Sequence, residues 1–181
     1  MRNFTVSLGL VFLAACQTTP YSTADAEADS PVLTEDRRLF LLSELERQKR
    51  LWAENVPQKY SYQITTECFC FPAPARGPNE IRVENNIILS RIYLGNPRDG
   101  YTTGTEISEN LTGSVAILDV FNSIERHLGP PEQRFGGPDV VVNFTVDYDS
   151  IWGFPNKIFY DAVPVLDEQY TLTIEDFTAI Q

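Results

Sequence analysis

One stretch limits what this chain can fold into. From Val140 to Asp161 it reads V-V-V-N-F-T-V-D-Y-D-S-I-W-G-F-P-N-K-I-F-Y-D, and from Asp167 to Phe177 it reads D-E-Q-Y-T-L-T-I-E-D-F. Val140, Val142, Phe144, Val146 and Tyr148 alternate with Val141, Asn143, Thr145 and Asp147. That period of two is the mark of a strand with one buried face. Asp149 to Asn156 carries Gly and Pro and interrupts the pattern, as a hairpin loop does. Ile158 and Tyr160, then Tyr170, Leu172 and Ile174, resume the buried face. The stretch predicts three antiparallel strands.

Earlier segments complete the architecture. Thr34 is placed to cap a helix whose first turn holds Glu35 and Asp36. Leu39, Leu42, Leu45 and Trp52 recur at helical spacing, and Asn55-Val56-Pro57 ends the run. Tyr60, Tyr62, Ile64, Cys68 and Cys70 share one face of an alternating strand. Prolines make residues 71–78 a loop. Ile81 and Val83, Asn85-Asn86, and Ile87 to Leu94 read as a hairpin, because Asn tolerates the positive φ of a tight turn. A second helix is expected over Ser114–Leu128, with Ile117, Phe121, Ile124 and Leu128 as its apolar stripe, ended by Gly129-Pro130-Pro131. Helix, three strands, helix, three strands gives an α+β fold with an antiparallel sheet of about six strands and two main helices. The strand connections are too short for parallel crossovers.

The N-terminus carries an address. Arg2 precedes an apolar run from Phe4 to Leu13 that is too short to span a bilayer and fits a signal peptide. The run ends in Leu13-Ala14-Ala15-Cys16, which resembles the lipobox of bacterial lipoproteins. The resemblance implies cleavage before Cys16, a diacylglycerol on its sulfur and an acylated amino group. Several acyl chains on one residue anchor stably. Gln17 rather than Asp follows the Cys, which resembles an outer-membrane address in enteric-type sorting. Residues 16–33 then form the lipidated Cys and a flexible tether, poor in core-forming residues. Residues 34–181 form one domain, large enough for a single hydrophobic core. The expected location is the cell membrane or outer membrane, facing the periplasm.

Composition excludes some partners. The net charge is −11, and loss of Arg2 with the signal makes it −12. That argues against nucleic acid and against charge-driven binding to anionic lipid.

Candidate chemistry is sparse. Cys68 and Cys70 are the pair left after Cys16 is lipidated. An oxidising envelope favours a disulfide. Residues two apart in a regular strand lie near the upper limit for one, so a bridge needs a bend before Phe71-Pro72. Free thiols and a redox or metal role remain open. His127 is the only His and reads as a surface or capping residue at a helix end. Asp147 to Gly153 fails as a calcium loop, since Ile151 stands at the fifth ligand position and the Gly comes one place late. Asp147, Asp149, Asp161 and Asp167 read as turn-forming, solvated carboxylates. No catalytic residue, metal ligand or cofactor is assigned.

Several motifs together carry a family resemblance. They are Trp52, Tyr60-Ser61-Tyr62, Cys68-Phe69-Cys70, a helix with Val120-Phe121 and Ile124, Val146-Asp147-Tyr148-Asp149 and Gly153-Phe154-Pro155. After them come Ile158 to Asp161, Asp167-Glu168 and Ile174 to Phe177. In this order they resemble the small bacterial envelope lipoproteins grouped as domain-of-unknown-function 6174. Phe154 stands where that pattern has Tyr, and Asn85-Asn86 where it has Asp or Asn followed by Gly. The family carries no assigned activity. The functional expectation is a non-catalytic binding or accessory module that meets an envelope protein or the cell wall, with Trp152, Gly153, Phe154 and Pro155 as an interaction loop. The alternative is a thiol-redox or metal-binding protein using Cys68 and Cys70.

Overall fold

A computed structural model describes residues 32–68, 73–95, 101–107, 116–130, 140–163 and 169–180. Helix α1 runs Glu35–Asn55, strand β1 Lys59–Glu67, the short helix α2 Ala73–Arg76, β2 Asn79–Glu84 and β3 Ile87–Tyr93. Helix α3 follows at Ile117–His127, then β4 Val141–Tyr148, β5 Pro155–Val163 and β6 Tyr170–Ile180. The strands form one antiparallel sheet in the order β3-β2-β1-β6-β5-β4. Two three-strand meanders therefore meet at the β1–β6 pair, and β3 and β4 are the edges.

The α+β expectation holds, with six strands and two long helices. Thr34 caps α1, its Oγ1 accepting from the Arg37 amide at 3.2 Å. The buried stripe of α1 is Arg37, Leu41, Leu45, Gln48 and Trp52. This differs from the expected stripe: Leu39 is half exposed to solvent and Leu42 only packs at the margin. The spacing of four, four, three and four keeps the observed set on one face, which the choice of Leu39 did not. Lys49 Nζ bonds Glu125 Oε2 at 2.7 Å, tying α1 to α3. The described part of the second helix starts at Ile117.

Both helices pack on the same face of the sheet. Leu45, Trp52, Phe121 and Ile124 join Tyr62, Ile81, Phe144 and Ile158 in one buried cluster. Asn85 and Asn86 have φ of 53° and 62°, the double positive value of the tight β2–β3 turn. β6 extends to Ile180, three residues past the expected Phe177, and contains a bulge. Ser61 faces Thr178 and Gln63 faces Glu175, so two residues oppose Tyr62. One of them, Asp176, has φ 52° and accepts from Gln63 Nε2 at 2.7 Å.

The β4–β5 turn is pressed onto α1. Asp149 Oδ1 accepts from the amides of Ile151 and Trp152, at 2.9 and 2.7 Å. Gly153 has φ +81°, and a Cβ there would lie 2.9 Å from the Gln48 carbonyl oxygen and 3.0 Å from Leu51 Cβ. Only glycine meets both demands.

Val32 and Leu33, expected to lie outside the domain, pack onto it. Leu33 is buried in the core, and its amide donates to the Val142 carbonyl at 2.8 Å. Val32 bridges Asn143 in antiparallel sense. These two residues belong to the domain.

Candidate functional site

The geometry at the β4 edge follows from that docking. In an antiparallel ladder, the bond from the Leu33 amide to the Val142 carbonyl turns the backbone groups of Val142, Phe144, Val146 and Tyr148 away from β5. Val32 and Leu33 meet only the start of β4. Beyond them, a groove of about 500 Å³ runs between this edge and α1. Arg37, Phe40, Leu41, Glu44 and Gln48 line it from the helix, and Thr145 to Tyr148 line it from the strand.

The groove mixes apolar surface with polar groups. Phe40 is 51% exposed and offers a ring at the rim. Gln48 is 5% exposed; its Nε2 donates to Glu44 Oε1 at 2.8 Å. The Gln48 Oε1 and the Tyr148 hydroxyl have no hydrogen-bond partner among the described residues. Buried polar atoms usually have a partner, and the side-chain amide of Asn79, away from the groove, also lacks one among the described residues. The Arg47 guanidinium binds Glu44 and holds its carboxyl below the usual carboxylate range. Burial raises the Tyr148 phenol, with Glu44 nearby adding to the effect. A site of this kind suits an extended chain that adds to the edge by main-chain hydrogen bonds and seats alternate side chains in the groove.

The residues singled out from the sequence are scattered. Cys16, Cys70 and Asp167 lie outside the described residues. Cys68 is 9% exposed just past the end of β1 and is not without a partner. Arg76 Nη1 donates to its carbonyl at 3.3 Å. The expected interaction loop turns inward: Gly153, Phe154 and Pro155 are buried and Trp152 half-buried. Phe154 packs against Phe177 at 4.8 Å and Trp52 at 6.0 Å. Ile151, at 70% exposure, is the residue this loop offers to solvent. Asp149 is spent on its own turn, and Asp161 accepts from Asn143 Nδ2 at 3.2 Å. Among the described residues, no three His, Cys, Asp or Glu side chains converge as a metal-binding group.

His127 is not the surface residue its helix-end position implied. Its ring lies 4.3 Å from Tyr160 and 6.1 Å from Phe144, and its Nε2 shares a hydrogen bond of 2.7 Å with the Tyr170 hydroxyl. Burial, aided by neighbouring Arg126, pushes its pKa down to about 4.

The groove was missed because it joins segments a hundred residues apart. A signal existed in α1. Arg37 and Gln48 interrupt an otherwise apolar stripe, which marks a polar feature on the buried face.

The fold and site define a two-layer α+β domain with an open-edged groove. Residues 44–179 match the model described as Family of unknown function (DUF6174), and the chain belongs to that family. No curated protein and no solved structure matches it.

Proposed function

We propose that this chain is a lipid-anchored envelope lipoprotein whose domain is a non-catalytic binding or accessory module. The observation that carries the binding reading is the α1–β4 groove, where, among the described residues, a strand edge beyond Leu33 adjoins buried polar atoms without a hydrogen-bond partner. The anchoring reading rests on Leu13-Ala14-Ala15-Cys16 after a short apolar run. Cys16 takes the lipid, the membrane is reached through it, and the domain meets an envelope protein or the cell wall. Among the described residues, no helix is long and apolar enough to cross a membrane.

Cys68 and Cys70 form a structural disulfide in this reading. The burial of Cys68 favours that over a thiol-exchange role, since reactive sulfurs are accessible ones. Intact mass after alkylation under denaturing, non-reducing conditions counts free thiols. None in the mature domain is expected, and two labelled thiols remove the bridge. For the anchor, Cys16→Ser moves the protein from the membrane to the soluble fraction. Persistence of the unmodified wild-type precursor in the soluble fraction overturns the lipoprotein assignment.

A further inference from the structure

We infer that the β1–β2–β3 half of the sheet holds a second binding site, in which Arg91 and Asn79 grip a small organic carboxylate that carries an N–H or O–H beside its carboxyl group. The site lies beneath α2 and is independent of the α1–β4 groove at the other end of the sheet. Register brings the two side chains together. Arg91 faces Ile81, and Asn79 faces Tyr93 on β3 and Ile64 on β1. Alternation therefore puts Asn79, Ile81, Arg91 and Tyr93 on one buried face. Asn79 and Arg91 are diagonal neighbours in the ladder, with backbones about 7–8 Å apart, within reach of a long side chain. The α2 segment closes over both. Arg91 Nη2 donates to the Ala75 carbonyl at 2.7 Å, and two residues later a Cβ on Gly77 would lie 3.1 Å from Asn79 Nδ2. Arg76, between them, is half-buried and donates from Nη1 to the Cys68 carbonyl at 3.3 Å.

The bonds these side chains still have to make define the ligand. Arg91 is 5% exposed, and Asn79 is fully buried. A guanidinium keeps its proton, and a buried charge is costly unless paired. Among the described residues, Arg38, Arg47, Lys49, Lys59 and Arg82 have carboxylate partners, whereas no ion pair joins Arg91 to a carboxylate. The Arg91 Nε, the Arg76 Nε and both amide atoms of Asn79 are buried without a hydrogen-bond partner among those residues. Burial lowers the Arg91 pKa, as it does for a cation held away from water and countercharge. An anion with two oxygens in one plane suits the guanidinium fork and accepts from Asn79 Nδ2 as well. Asn79 Oδ1 only accepts, so the ligand must also donate. Sulfate and other fully ionised oxyanions have no donor to give. A carboxylate with an adjoining amide N–H or hydroxyl meets both demands. Buried Ile64, Ile81 and Tyr93 around the pair keep the local dielectric low, which strengthens charge-assisted bonds.

Calorimetric titration of the purified full chain with N-acetylglycine, acetate and sodium sulfate at matched ionic strength tests the site. N-acetylglycine is expected to bind as a single ligand per chain, acetate about tenfold more weakly for want of the donor, and sulfate not measurably. Arg91→Met, which fills a similar volume without the charge, is expected to abolish the heat. Asn79→Leu is expected to bring N-acetylglycine down to the affinity of acetate. Circular dichroism shows whether each variant is folded. The wild-type chain gives a reading that needs no variant. With N-acetylglycine present, hydrogen exchange is expected to slow at residues 75–79 and 91–93 and to stay unchanged at Val146 to Tyr148. Equal affinity for N-acetylglycine and acetate, or comparable binding of sulfate, overturns the proposal. So does the absence of heat in the wild type, or protection confined to the β4 edge.

Discussion

The two edges of the sheet are built alike and finished differently. Each is met by a short piece of non-strand chain. At β3, the Tyr93 amide donates to the Thr105 carbonyl and the Ile107 amide to the Arg91 carbonyl, at 2.9 and 2.8 Å. At β4, Leu33 plays the corresponding part. Ile107 and Leu33 both anchor their segments in buried positions. Past the cover, β3 presents Ile87 and Leu89 outward at 65% and 60% exposure. Past its cover, β4 borders the groove against α1. Among the described residues, one edge thus ends in an uncovered apolar rim, the other in a shaped recess with polar groups. On the proposed reading, recess and polarity, not openness alone, mark β4 as the recognition edge.

Removing the anchors has the largest expected effect. Leu33→Ala and Ile107→Ala should each destabilise by about 2–4 kcal/mol, the range for a buried aliphatic truncation. Urea melts measure the totals. Hydrogen exchange separates them: the Leu33 variant exposes β4 amides alone, and the Ile107 variant exposes β3 amides alone. Loosening of both edges by either substitution breaks the comparison.

The groups beneath the edges respond differently to acid. Arg91, on β3, is buried, its Nη2 donating to the Ala75 carbonyl at 2.7 Å. His127 lies beneath β4, β5 and β6, facing Phe144, Tyr160 and Tyr170 with no carboxylate among them. Its folded pKa of about 4 is below the ordinary value, so the neutral form is favoured. Its contribution is fully present above about pH 6.5 and falls as pH drops toward 4, where the unfolded chain holds a proton that the native chain refuses. The loss approaches about 3 kcal/mol. Thermal melts between pH 7 and 4 should show this slope, and His127→Phe should flatten it. An unchanged slope assigns the acid sensitivity elsewhere.

The turn that carries β4 against α1 comes next. Gly153→Val should destabilise by about 1–3 kcal/mol through backbone strain and the clash with the Gln48 carbonyl. A melting temperature equal to wild type contradicts the close approach. The smallest effect belongs to the bare rim. Leu89→Lys should change stability by less than about 0.5 kcal/mol, since the side chain is already solvated. It should also reduce self-association at high concentration in light scattering. A loss of stability above that range means the rim is packed.

Much of the fold was legible because local chemistry set it. Alternation gave the strands, Asn85-Asn86 the turn, Thr34 the cap, and Gly153 the tight approach. What escaped reading depends on contacts far apart in sequence. Leu33 looks like tether until β4 covers it, and Phe154 looks like a loop residue until Trp52 and Phe177 enclose it. His127 looks exposed until β5 and β6 close over α3. The groove exists only where Gln48 and Tyr148 meet, and neither residue announces it alone.

A photo-crosslinking residue placed at Phe40, and separately at Leu89, tests the difference between the edges directly. Both side chains are about equally exposed, so access does not bias the comparison. In cells, the account predicts that a partner captured from Phe40 is lost in a Val146→Pro variant, which removes an edge amide while sparing the β5 pairing. Capture of the same products from Leu89, or capture from Phe40 that Val146→Pro leaves untouched, would contradict the β4 edge as the recognition edge.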